Sequence, residues 1–176
     1  MIISKQNKFL KLYEPIHDQF ERFCRARVYG DMDYEDLMNE TLLIAFQKFE
    51  QLKSDKAFLS FLFGISVRLL ANNNRKIKEG AYHKQAFNYS DANAQTERDA
   101  EVYLLHQALA QLPDEQKEAI ILFEINGFSI KEIKEIQNAS ESAVKQRLKR
   151  GREKLTQILS FESTTTYNKS KEVKNG

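Results

Sequence analysis

Few groups in this sequence could do chemistry, and their spacing narrows the choice quickly. Glu35, Asp36 and Glu40 fall close together on one stretch. Paired carboxylates can act as general acid and base, but on an open helix face they usually meet water or a partner. His17, His83 and His106 are widely separated and lack ligand-like neighbours, so no metal is expected. The glycines are scattered and form no phosphate-cradling loop. No nucleophile stands at a recognisable spacing from a base; no cofactor and no catalytic residue is expected, and the chain does not read as an enzyme. What remains is a dense group of cations and amides near the C-terminus: Lys145, Gln146, Arg147, Lys149, Arg150 and Arg152. Lys, Arg and Gln on a helix can bond base edges in the major groove. Cations farther along the same helix neutralise phosphates and release counterions.

The elements that must position these residues are legible around them. The stretch SIKEIKEIQNASESAVKQRLKRGREKL spans Ser129 to Leu155. Ser129 and Glu132 have capping-box spacing, and Ile130, Ile133 and Ile136 give the first helix an apolar side. Asn138 suits a left-handed turn position and Ser140 an N-cap. In the second helix Val144, Leu148 and Leu155 share one side, and Lys145, Lys149 and Arg152 another. Two short helices, a tight turn and a basic second helix make the pattern of a helix-turn-helix reader.

Composition bounds the rest. The 176 residues suffice for one medium domain or two small ones. Hydrophobic residues make up 41% and charged residues 30%, which supports a buried core and argues against general disorder. Net charge is only +2, so any nucleic-acid function must depend on where charge is clustered. Six Gly and two Pro favour helices over a many-turned β fold. Cys24 is the only cysteine; no intramolecular disulfide can form, and its flanks suggest a packing position. The N-terminus lacks the long apolar stretch of a signal peptide, and no run approaches the roughly 20 apolar residues of a membrane span. A soluble, cytoplasmic protein is the expectation.

Taken in order, residues 8 to 28 carry apolar residues at helical steps, interrupted near Pro15. Gly30 marks a stop, and Asp33 or its neighbour caps a second helix through Phe49. A polar connector, residues 51 to 56, leads to a third helix from about Ala57. There Arg68, Asn72 and Arg75 share an exposed face, which on spacing alone is ordinary surface polarity. From about Ile77 to Arg98 the apolar period fades and a linker is expected. A second unit starts near Asp99, with Pro113 opening another helix and Asn126-Gly127 ending it. The expectation is an all-α chain: residues 1–76 as one small helical domain, 77–98 as a flexible linker, 99–159 as the helix-turn-helix domain. The polar tail, 160–176, is expected to lack order.

Both units together resemble bacterial sigma factors of the extracytoplasmic-function (ECF) type. The first carries DYEDLMNETLLIAFQKFEQL and KSDKAFLSFLFGISVRLLANNNRK, similar to the family's acidic D-L-x-Q-E segment, short connector and F-x-x-W-L helix. The second carries LPDEQKEAIILFEINGFSIKEIKEIQNASESAVKQRLKRGREKL, similar to L-P-x-x-x-R, then G-x-S-x-x-E-I-A, then T-V-K-S-R-x-x-R-A-R-x-x-L. The resemblance covers most of residues 9 to 159. The chain departs from the pattern at Asn39 (usually Gln), Phe61 (Trp), Arg68 (Asn), Lys117 (Arg), Lys134 (Ala) and Gly151 (Ala).

The resemblance implies three contacts. Asp36, Asn39 and Glu40 match the segment that docks on core RNA polymerase. Lys53, Ser54, Asp55 and Lys56, with Phe58, Phe61, Arg68, Asn72 and Arg75 on the next helix, match the element that recognises and melts the −10 region; unpaired bases are held by aromatic and basic side chains. Lys145, Gln146, Arg147, Lys149 and Arg150 match the helix that reads the −35 element, with Ser142 bonding a phosphate near its N-terminus. The implied partners are core RNA polymerase, promoter DNA and an anti-sigma factor, with no membrane insertion. Near-neutral charge fits a subunit that borrows affinity from polymerase by tethering. The competing reading is a stand-alone helix-turn-helix regulator.

Overall fold

The computed structural model describes the backbone of residues 4–80 and 97–174, and the side chains of 4–80 and 100–161. Eight α-helices and no strand occur among the described residues. The expected linker falls, from 81 to 96, outside them.

The first half contains α1 (Lys5–Tyr13), α2 (His17–Arg27), α3 (Tyr34–Gln47) and α4 (Phe58–Lys78). Ser4 caps α1 by accepting from the Asn7 amide. Pro15, which has no N–H to continue the ladder, sits in a 3-10 turn (Glu14–Ile16) between α1 and α2. Asp33 caps α3 through the Glu35 amide, and Glu35 and Asp36 fall in its first turn, where the helix dipole favours anions. The core of this half is built from rings. Phe9 meets Phe46, Phe49 and Phe58 edge to face at 5.3–5.4 Å between centroids, and Phe63 meets Phe20 at 5.2 Å. Such geometries suit the aromatic quadrupole. Cys24 is fully buried beside them, and burial pushes its thiol pKa up, so it packs rather than reacts.

The second half contains α5 (Glu97–Ala110), α6 (Asp114–Ile120), α7 (Ile130–Gln137) and α8 (Glu141–Lys174). Its core is aliphatic: Leu109, Ile121, Leu122, Ile133, Ile136, Val144 and Leu148 are buried. After α6 the chain takes one wider turn (Ile121–Ile125), where the Asn126 amide and side chain both donate to the Ile121 carbonyl. Gly127 then reverses the chain at φ +72°. Gly151 lets α8 approach α6: a Cβ there would lie 2.9 Å from Ile120 Cγ1. That close seat accounts for glycine where the family pattern has alanine. Helix α8 also runs past Leu159 to Lys174, where a tail without order was expected. No Gly or Pro interrupts residues 152–174, so nothing in the backbone forces the helix to stop.

Candidate nucleic-acid interface

The helix-turn-helix is fixed by local bonds that the sequence specifies. Ser129 Oγ accepts from the Glu132 amide, and the Glu132 carboxylate accepts from the Ser129 amide at 2.7 Å, completing a capping box. Asn138 takes the left-handed conformation at φ 48°, tolerated by Asn more readily than by most residues. Ser140 Oγ accepts from the Ala143 amide at 3.1 Å and caps α8. Val144 and Leu148 bury one side of α8 against α6 and α7. With that side anchored, Ser142, Lys145, Gln146, Lys149 and Arg150 are left exposed on the other.

Arg147 behaves differently. Its guanidinium donates to Gln137 Oε1 at 3.0 Å and pairs with Glu115 at 2.9 Å, so it ties α8 to α7 and α6. Arg152 is also engaged: it donates to Glu124 at 2.6 and 2.8 Å and lies over the Phe123 ring. Both had been grouped with the basic face by sequence.

In the first half, Lys53, Ser54, Asp55 and Lys56 are all exposed: Lys53 and Ser54 link two 3-10 turns (Phe49–Gln51 and Asp55–Ala57), and Asp55 and Lys56 open the second. Asp55 pairs with Lys8 at 2.9 Å. Arg68, Asn72 and Arg75 are exposed on α4, and Phe61 is half-buried against the core. Phe58 is not available to a base in this arrangement. It is buried, with its ring against Phe9 and Phe49, and so supports the connector from beneath.

Asp36, Asn39 and Glu40 lie exposed along α3. Sequence reasoning missed their neighbour Leu43, which continues the same strip and is 58% exposed. The available signal was spacing: Leu43 follows Asp36, Asn39 and Glu40 at seven, four and three residues, the steps that share a helix face.

The two sets of candidate DNA contacts meet. Arg68 and Arg75 from α4 and Gln146, Arg147 and Arg150 from α8 line one cleft of about 1110 Å3. Its lining carboxylates are already engaged. Glu115 holds Arg147, Asp114 contacts Asn74 and Lys117, and Glu118 faces Arg27. Burial pushes the Glu118 pKa up, with Arg27 pulling against it, and burial pushes the Lys117 pKa down. The cleft therefore keeps an excess of cations, with the character of a surface for nucleic-acid phosphate and base edges.

Among the described residues, His17, Asp18 and Glu21 form the one cluster of metal-ligand type; it is surface-lying, and Glu21 already binds Arg25. No described helix is long and apolar enough to cross a membrane.

Residues 97–155 match the family described as Sigma-70, region 4. The chain is 27% identical over 158 residues to the ECF RNA polymerase sigma factor SigM of Mycobacterium tuberculosis, spanning 89% of this chain and 79% of that one. To the ECF RNA polymerase sigma factor SigW of Bacillus subtilis it is 26% identical over 169 residues, spanning 88% and 90%. Two solved structures share the fold. RpoE of Bartonella quintana, in complex with the anti-sigma factor NepR, has a TM-score of 0.67 at 21% identity, covering 86% of this chain and 98% of that one. CnrH, in complex with the cytosolic domain of CnrY, has a TM-score of 0.65 at 22% identity, covering 88% and 89%. The helix-turn-helix half is thus of the Sigma-70, region 4 type, and over most of its length the chain is similar to ECF sigma factors of bacterial RNA polymerase.

Proposed function

We propose that the chain is a sigma factor that works in the cytoplasm through three separate surfaces. The exposed strip of α3, Asp36, Asn39, Glu40 and Leu43, docks on core RNA polymerase. The connector Lys53–Lys56, with Phe61, Arg68, Asn72 and Arg75, engages the −10 element as it opens. Lys145, Gln146, Lys149 and Arg150 on α8 read the −35 element in the major groove, and Ser142 bonds a phosphate. Arg147 orients α8 through Glu115 and Gln137 and reaches DNA only if it exchanges those partners. Phe58 acts from the core rather than on a base. An anti-sigma factor is the expected negative regulator, as NepR is described for the similar RpoE.

The observation that carries this reading over a stand-alone regulator is the α3 strip. Leu43, 58% exposed beside Asp36, Asn39 and Glu40, offers a partner protein one apolar contact with polar groups around it. A regulator that binds duplex DNA by itself would use such a face to dimerise, and binding to core separates the two uses. Run-off transcription with core polymerase, from the promoter upstream of the chain's own gene, tests the proposal. A transcript that needs both components, together with binding to core that Leu43→Asp weakens, is the expected result. Tight duplex binding without any binding to core would overturn it.

A further inference from the structure

One arginine of the recognition helix does not face outward with its basic neighbours, and a side-chain amide accounts for it. Gln137 is the last residue of α7, and the left-handed Asn138 that follows fixes its backbone. Its Nε2 donates to the Glu115 carbonyl at 3.1 Å and to Glu118 Oε1 at 2.8 Å. Its Oε1 accepts from the Arg147 guanidinium at 3.0 Å. A second guanidinium nitrogen meets the Glu115 carboxylate at 2.9 Å. Glu118 is only 5% exposed, and its other oxygen faces Arg27 at 3.5 Å.

We infer that Gln137 sets the selectivity of the −35 contact: its amide holds Arg147 against α6 and so keeps one arginine from reading a base. The inference deepens the function proposed above and rests on it. Gln137 is a positioning residue; it acts on DNA only through Arg147.

The donors and acceptors around residue 137 call for an amide. A backbone carbonyl and a carboxylate accept, so the NH2 group must face α6, and the amide oxygen is left for the guanidinium. Glutamate there would set a carboxylate against both acceptors. Leucine would strip a partner from Glu118 and from Arg147 together. Glu115 cannot take over the task. Its side chain is 71% exposed, and an exposed ion pair is screened by salt and contributes little. The half-buried bond to Gln137 therefore decides where Arg147 stays. What it withholds has a definite chemistry. A free arginine on a helix in the major groove forms a fork to guanine O6 and N7, the commonest base-specific contact. Gln146 and Arg150 are exposed and line the same cleft as Arg147, so a released guanidinium enters the face that reads DNA.

Run-off transcription with core polymerase, from the promoter upstream of the chain's own gene with each −35 base pair changed in turn, tests this. Gln137→Leu should gain a preference of about fivefold or more for guanine at one position that the parent chain treats as neutral. Its promoter binding should also steepen in salt by about one unit of log–log slope, since one more cation reaches the DNA. Glu115→Gln alters an exposed side chain and keeps the fold should Gln137→Leu lose it; it should shift both readouts in the same direction by less. Adding Arg147→Ala should erase the shift in either background. A folded Gln137→Leu chain with the parent's preference and salt slope would overturn the inference. So would a new preference that persists without Arg147. The same selectivity is read without polymerase, from binding of the full chain to a −35 duplex at low salt, so this inference and the core-dependent function fail separately.

Discussion

The two candidate DNA-reading surfaces are built in contrasting ways. On α8 the side chains stand on a regular helix whose place is fixed by the Ser129–Glu132 capping box, the left-handed Asn138, the Ser140 cap and the glycine seat at 151. Residues 53–56 run from the link between two short 3-10 turns into the second of them, neither turn has a side-chain cap, and all four residues are exposed. Beneath them is an aromatic cluster; beneath α8 is an aliphatic one. The difference suits the two proposed targets. A duplex offers fixed donors and acceptors at fixed spacing, so its reader gains from a rigid helix. An opening duplex offers bases that move, and a short irregular segment over a firm floor can follow them.

The floor is the most sensitive part. Phe58→Ala removes a buried ring that touches Phe9 and Phe49 and should destabilise the chain by about 3–5 kcal/mol in chemical denaturation. A variant that keeps full stability but loses promoter opening would reverse this, making Phe58 a base contact and the connector's floor something else.

Those same residues show where sequence was legible. The caps at Ser4, Asp33, Ser129 and Ser140 and the reversals at Gly127 and Asn138 are local bargains between a side chain and the nearby backbone, so residue type and spacing suffice to read Asp33, Ser129, Asn138 and Ser140 in advance. Phe58 was not legible. An aromatic residue at the start of a helix looks the same whether it faces a base or two rings from α1 and the turn after α3. Leu43 fails in the opposite direction, because a periodic pattern counts leucine as core. Arg147 looks like its basic neighbours until Glu115 and Gln137 close on it. The two halves meet through residues as far apart as Gln19 and Asn126, and no local pattern announces such a pair.

A milder pair of substitutions separates the surfaces by what they read. Lys145→Ala with Gln146→Ala should reduce transcription about 5- to 150-fold, for about 1–3 kcal/mol of lost base contact, and only on templates with an intact −35 element. Lys53→Ala with Lys56→Ala should give a smaller loss on all templates alike, recovered when the −10 region is supplied already unpaired. Run-off assays on a matched set of duplex, −35-scrambled and pre-opened templates make the distinction. Equal losses for both pairs on the scrambled template would mean that α8 contributes charge and no base readout.

Acid is the gentlest lever on the contact between the halves that carry these two surfaces. His106 is stacked on Tyr29, with Tyr103 also against that ring, and its Nδ1 is buried without a hydrogen-bond partner among the described residues. Burial lowers its pKa below the ordinary value of about 6.5. The unfolded chain then binds more protons at this site than the folded one. The stability that neutral His106 contributes is therefore present above about pH 6.5 and lost as pH falls through the lowered value. Glu118 acts in the opposite sense: burial raises its pKa, so acidification through the window between that raised value and the usual carboxylate range adds stability. His106→Phe keeps a ring for Tyr29 to stack on and removes the titration. Its denaturation midpoint should fall less than that of the parent chain just below pH 6.5, leaving the Glu118 contribution uncovered at lower pH. An unchanged pH slope would mean that His106 is hydrated in solution, and that the Tyr29 stack is not part of that contact.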